Sequence, residues 1–267
     1  MPQDPRRRVG RLGFFFALAA FAAALALGTA VAQAGEGLYL RWNDCVNGAG
    51  LSSLNFGCGT NTGDERLYCA LTLPVPLDEV LGIEAVVDLQ AAATTLPDWW
   101  HLEPANIGLG LPAGCRYGNL FASQDFTGET SCTDLWLNRG AAIIQGYTPG
   151  DPRGGSAQAR IKAVATLPAP FVASLDATHM YYGLKIVIQN VNTTGFGSCT
   201  GCISHVCLVL NSIWVKRTLG AAGGDQLLVT PGAVGSNWAT WQGPSNLDCS
   251  AVPVRRATWG QIKSLYR

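Results

Sequence analysis

The segment Cys199-Thr200-Gly201-Cys202-Ile203-Ser204-His205-Val206-Cys207 holds the densest set of reactive side chains in this 267-residue chain. Thiolate and imidazole are what zinc prefers, so three cysteines and a histidine at this spacing have the composition of a tetrahedral site. Covalent haem is excluded, because Ile203 stands where the histidine would have to follow the second cysteine. A redox-active Cys-x-x-Cys expects a helix N-terminus after its first cysteine, and here the chain runs into an apolar, strand-like stretch. Structural disulfides are the competing reading, and the cellular compartment decides between them.

Other chemistry is sparse. His101, His179 and His205 each lack sequence neighbours that would make them the base of a nucleophile, and no Gly-x-Ser-x-Gly elbow is present. Glu84, Asp88, Asp98, Glu103, Asp125, Glu129 and Asp134 contain candidate pairs for glycoside cleavage, but linear spacing does not set carboxylate separation and solvated surface acids explain them equally. Asn43-Asp44 and Asn61-Thr62-Gly63-Asp64-Glu65 offer oxygen ligands for a structural calcium; turn chemistry accounts for the same residues. No other cofactor is implied. The aromatic residues are more informative. Trp99-Trp100-His101 follows Leu96-Pro97-Asp98, and Trp238 and Trp241 lie in Ser236-Asn237-Trp238-Ala239-Thr240-Trp241-Gln242. Indoles in polar, loop-like surroundings can stack on sugar faces, which makes Trp99, Trp100, His101, Trp238 and Trp241 candidate ligand contacts, with core packing as the alternative.

The elements that must position these residues begin after residue 34. Arg6, Arg7, Arg8 and Arg11 precede an uncharged apolar run over 12–27, and Ala30-Val31-Ala32-Gln33-Ala34 has the small residues of a cleavage site. That order predicts a secretory signal peptide over 1–34, cut before Gly35, and no membrane span afterwards. The leader takes four basic residues and one acidic residue, Asp4, so the exported part is slightly acidic and nucleic acid is a poor partner. All nine cysteines lie beyond the leader, in what becomes an oxidising context. Cys45 and Cys58 flank one polar loop and Cys115 and Cys132 another, so each pair is expected to form a local bridge contributing about 3 kcal/mol. Cys69 sits in the apolar phase of Leu67, Leu71 and Leu73 and is the expected free thiol. Cys199, Cys202, Cys207 and Cys249 remain for two bridges that can be drawn in three ways.

Two-residue alternation dominates the chain beyond the leader. Ile83, Ala85, Val87 and Leu89; Ala159, Ile161, Ala163, Ala165 and Leu167; and Tyr182, Leu184, Ile186 and Ile188 each mark a strand buried on one face. Residues 206–215 are apolar in both phases except at Asn211-Ser212, which predicts a central strand with a bulge. Stretches 38–42, 67–73 and 226–230 add strands, and Gly/Pro/Asn-rich segments separate them. The expected architecture is all-β, an antiparallel β-sandwich of jelly-roll type over 35–218, with a Gly/Pro-rich extension over 219–267. The extension carries a short C-terminal helix signal at Thr258-Trp259-Gly260-Gln261.

Residues 206–215, with Leu210-Asn211-Ser212-Ile213-Trp214-Val215, resemble the closing strand of jelly-roll carbohydrate-binding modules. Arg41-Trp42-Asn43-Asp44-Cys45, Leu96-Pro97-Asp98-Trp99-Trp100 and the ending Thr258-Trp259-Gly260-Gln261-Ile262-Lys263-Ser264-Leu265-Tyr266-Arg267 are similar to secreted bacterial proteins with no assigned activity. The resemblance implies export and a binding role without naming a reaction. Three functions are therefore carried: a non-catalytic secreted or cell-surface binding protein whose partner is a glycan or other surface component, a self-assembling subunit of an extracellular layer or filament, and a secreted hydrolase.

Overall fold

The computed structural model describes residues 35–151, 154–243 and 249. The expected signal peptide (1–34) and C-terminal helix (258–267) lie outside the described residues. In chain order the strands are β1 Gly37–Trp42, β2 Ser53–Leu54, β3 Asp64–Thr72, β4 Leu77–Ala91, β5 Leu120–Ser123, β6 Thr133–Asp134, β7 Ala141–Pro149, β8 Gln158–Thr166, β9 Ala173–Leu175, β10 Met180–Gln189, β11 Val206–Arg217, β12 Gln226–Leu228 and β13 Trp238–Trp241.

The smaller sheet has the order β1-β3-β10-β5, with β6 beside β10, and the larger has the order β2-β13-β11-β4-β8-β7, with β12 on β11 and β9 on β4. One apolar cluster joins their inner faces, so the chain is an all-β sandwich. Every long ladder is antiparallel, and the chain crosses repeatedly between sheets, for example from β3 to β4 and from β10 to β11. No helix among the described residues is long and apolar enough to cross a membrane.

The alternation read from sequence sets which side chains face inward. Ile83, Ala85, Val87 and Leu89 of β4 and Ala159, Ile161, Ala163 and Ala165 of β8 are all buried. Cys69 is the free, buried cysteine, and its apolar surroundings push the thiol up to about 12, so it stays protonated and inert. The central strand β11 carries the expected bulge, a register shift between Leu210 and Ser212. That shift lets Asn211 donate to Asp88 Oδ2 at 2.5 Å, completing a buried network in which Arg160 reaches both Asp88 oxygens at 2.6 and 2.8 Å.

One phase changes. Tyr182 pairs with Ala70 but Leu184 pairs with Cys69, so an irregularity at Gly183 puts Tyr182 on the opposite face from Leu184, Ile186 and Ile188. There the ring stacks on Phe126 at 4.4 Å and its hydroxyl donates to Asp44. A second, smaller packed layer thus covers the outer face of the smaller sheet. In it Lys185 lies 2.7 Å from Glu129, which also accepts from the Tyr68 hydroxyl.

The cysteines expected in bridges are bridged, but not as their spacing predicts. The pairs are Cys45–Cys132, Cys58–Cys202, Cys115–Cys199 and Cys207–Cys249. Cys45 and Cys58 fail to meet because β2, between them, joins the larger sheet and draws Cys58 away from the end of β1. Cys115 and Cys132 fail to meet because β5 runs antiparallel along β10, carrying the chain from the Ile188 end toward the Tyr181 end. Four disulfides among the described residues are those of a chain folded in an oxidising compartment. Within 219–243, which composition marks as an extension, β12 and β13 pair onto β11. Cys249 is bonded to β11 and packs with Val209 and Trp238.

Candidate functional site

The Cys-x-x-Cys turn is a structural hub. Its two cysteines bridge to two different loops, so neither zinc ligation nor thiol exchange between them is available. Gly201 has φ +90°, and a Cβ there would lie 2.4 Å from Pro97 Cβ, so only glycine lets the turn approach this closely. The contact seats the next residues: Trp99 N–H donates to Thr200 O at 2.8 Å, and the Thr200 hydroxyl donates to Asp98 at 2.8 Å.

The short 3-10 turn Asp98–Trp100 drives both indoles inward. Trp99 stacks on Trp241 at 4.6 Å, while Trp100 meets both rings edge-on. Arg116 is fully buried, its guanidinium 3.6 Å above Trp99, and donates to the carbonyls of Trp99, Gln189 and Val191. Burial lowers its pKa to about 9, which still leaves it cationic at neutral pH. Trp99, Trp100 and Trp241, expected to stack on a sugar, are therefore core residues with no exposed face. Trp238 is half-buried on the outer face of the larger sheet, away from that cluster. The indole pattern misleads because a polar sequence neighbourhood does not report what packs from the opposite sheet.

His101 is the one residue of that set that lines a cleft. Beyond it the chain turns back: Arg116 N–H donates to His101 O and Gly114 N–H to Glu103 O, both at 2.9 Å, so residues 101–103 and 114–116 form the base of a hairpin. Gly114 is required there, since a Cβ would lie 2.4 Å from His101 O. Reciprocal 3.0 Å bonds between Asn106 and Leu111 close the tip around the 3-10 turn Ile107–Leu109. The Cys115–Cys199 disulfide and buried Arg116 fix the base. No charged residue occurs between Glu103 and Arg116. At the tip Ile107, Leu109 and Leu111 are 91, 72 and 56% exposed.

Between this hairpin and the end of β7 lies an open cleft of about 880 Å³, lined by Asp98, His101, Glu103, Asn106, Tyr147 and Thr148 together with the apolar tip residues. His101 Nδ1 is 2.7 Å from Glu103 Oε1, and that hydrogen bond holds the imidazole pKa above its ordinary value despite partial burial. The protonated pair contributes stability below the pH range of a free histidine, and the contribution fades as pH rises through the higher folded value. An NMR titration of the ring proton should give a midpoint above that of a free histidine, falling back in Glu103→Gln. A midpoint unchanged by that substitution would show that Glu103 does not set it. The hairpin has a sequence signature, a charge-free Leu/Ile/Gly/Pro run, that passes for an ordinary loop unless its exposure is known.

The loops considered for calcium are filled by protein donors. Asp44 accepts from Cys45 N–H, Ser131 and Tyr182, and Asn61 Oδ1 accepts from the N–H groups of Thr193 and Thr194. Asp64 pairs with Arg66 and Glu65 with Asn190. Among the described residues no three His, Cys, Asp or Glu side chains cluster as metal ligands do.

No protein-family model matches the chain, and no curated protein sequence matches it. Among solved structures the chain is similar to a cohesin module from a Clostridium perfringens family 33 glycoside hydrolase, at 9% identity and a TM-score of 0.30, over 78% of this chain and 93% of the other. A likeness that slight carries no weight for function.

Proposed function

We propose that the chain is an exported, non-catalytic β-sandwich binding module whose recognition site is the cleft between the 104–113 hairpin and the end of β7. The observation that carries this reading is the hairpin: an element fixed at its base by a disulfide that holds three large apolar side chains in water, where an unliganded surface gains nothing from them. Its placement beside a polar cleft floor is the usual composition of a binding site, apolar walls with a few convergent polar groups. The His101–Glu103 pair has no serine or cysteine among the cleft's non-disulfide lining residues, so the cleft offers no Ser- or Cys-based acyl-transfer nucleophile. A glycan would be held here by Asp98, His101, Glu103, Asn106 and Thr148 without an indole platform.

The test is to screen the disulfide-intact protein against glycan and peptide arrays, beside Leu109→Ser, whose exposed position leaves the fold intact. Binding on either array that drops by about tenfold or more in the variant is expected. Silence on both arrays, or binding indifferent to Leu109, would refute the reading.

A further inference from the structure

The cleft does not end at the hairpin. Tyr147, Thr148 and Pro149, which form its other wall, are the last residues of β7, and β7 is the terminal strand of the larger sheet, with its ladder partners all on β8. Nine residues long, it carries no charged residue between Gly140 and Gly150, and Ile143 is exposed on it. Edge strands normally carry charge that discourages pairing with another chain. Here no charge guards the backbone edge, which is interrupted only by the register shift between Ile144 and Gly146 and by Pro149 at the end beside the cleft.

The cleft floor carries a charge bias. Asp98 and Glu103 are both acidic, and His101 pairs with Glu103 alone. Glu103 Oε2 is buried without a hydrogen-bond partner. No lysine or arginine lines the cleft, so an anionic membrane surface finds no basic rim here.

We propose that the free edge of β7 and the adjoining cleft together take an extended peptide segment of a partner protein, added as a further strand, with an apolar side chain against Ile107, Leu109 and Leu111 and a lysine or arginine directed to Asp98 and Glu103. The backbone supplies affinity through main-chain hydrogen bonds, and the hairpin and carboxylates supply selectivity. This rests on the cleft being the recognition site and names its ligand class.

A displayed random-peptide library, panned on the disulfide-intact protein, tests it. The selected peptides should alternate apolar and polar residues and contain a Lys or Arg. A synthetic copy of the best of them should lose about tenfold or more in affinity when that Lys becomes Glu, when alternate amides on one edge are N-methylated, and when the protein carries Leu109→Ser or Glu103→Gln. Equal binding of the N-methylated peptide would overturn strand addition. Peptides without a basic residue, or affinity unmoved by Glu103→Gln, would overturn the charge assignment. Glycan binding lost in Leu109→Ser with no peptide selected would overturn the peptide class while leaving the cleft as the site, and no ligand of either kind would remove both. Binding of Leu109-dependent character to phosphatidylglycerol vesicles, or a concentration-dependent dimer abolished by Leu109→Ser, without peptide selection, would assign the surface to lipid or to a second copy and overturn the proposal.

Discussion

Replacing Cys58 and Cys202 together by serine should lower the unfolding free energy by about 5 kcal/mol, because this bridge closes the longest loop among the four, a sequence separation of 144. Chain entropy ranks it above Cys207–Cys249, whose separation of 42 corresponds to about 4 kcal/mol. A domain of ordinary stability has about 5 to 15 kcal/mol in total, so the double variant should unfold at much lower urea. The loss is sharpened by location. Cys58 follows Phe56, which packs on Trp241, and the Trp241 indole donates to Cys202 O at 2.7 Å, so the bridge ties a loop of one strand to the aromatic core. Equilibrium unfolding of oxidised wild type and variant measures it, with a non-reducing peptide map as the companion. A change below about 1 kcal/mol, or a map that recovers Cys45 bonded to Cys58, would contradict the structure.

Trp99→Ala should cost about 4 kcal/mol, the scale of deleting a large buried aromatic side chain. The indole is stacked between Trp241 and the Arg116 guanidinium and donates to the Thr193 hydroxyl at 3.0 Å. Its removal opens a cavity, strips the buried cation of its π face and leaves Thr193 without its donor. Trp99→Phe keeps the stack and should recover about half of the loss. Trp238→Ala, on the half-buried outer face, should cost about 1 kcal/mol. Urea titration of the three variants followed by near-ultraviolet circular dichroism decides the matter. A Trp99→Ala protein as stable as wild type that had lost glycan binding would place the indole at the surface and restore the sugar-stacking reading.

Much of the architecture is legible in the residues. Strands β4, β8 and β11 are written as alternation or as a doubly apolar run, because one face or both must meet the opposite sheet. Asn211-Ser212 announces the bulge in β11, since a polar pair inside an apolar run has to leave the ladder's phase. Cys69 declares itself the free thiol by sharing the buried phase of β3. Strand β7 is not legible, and the cause is physical: its register shifts between Ile144 and Gly146, so Ala142 and Ile144 face inward before the shift and Tyr147 after it, and no single two-residue period survives. Strand β13 is hidden because Asn237 and Thr240 look like loop residues, although Trp241 and Ala239 are core.

By itself the sequence determined the all-β class, the inward phase of most strands, and that eight of the nine cysteines would be bonded with Cys69 left over. These are local properties, set by period two along a strand and by composition. Tertiary structure alone decided which cysteines meet, that Trp99, Trp100 and Trp241 are sealed in the core, and that Ile107, Leu109 and Leu111 stand in water beside the free edge of β7. Each depends on what another part of the chain brings across the sandwich. Linear spacing records contour length, and burial is a property of the space between sheets.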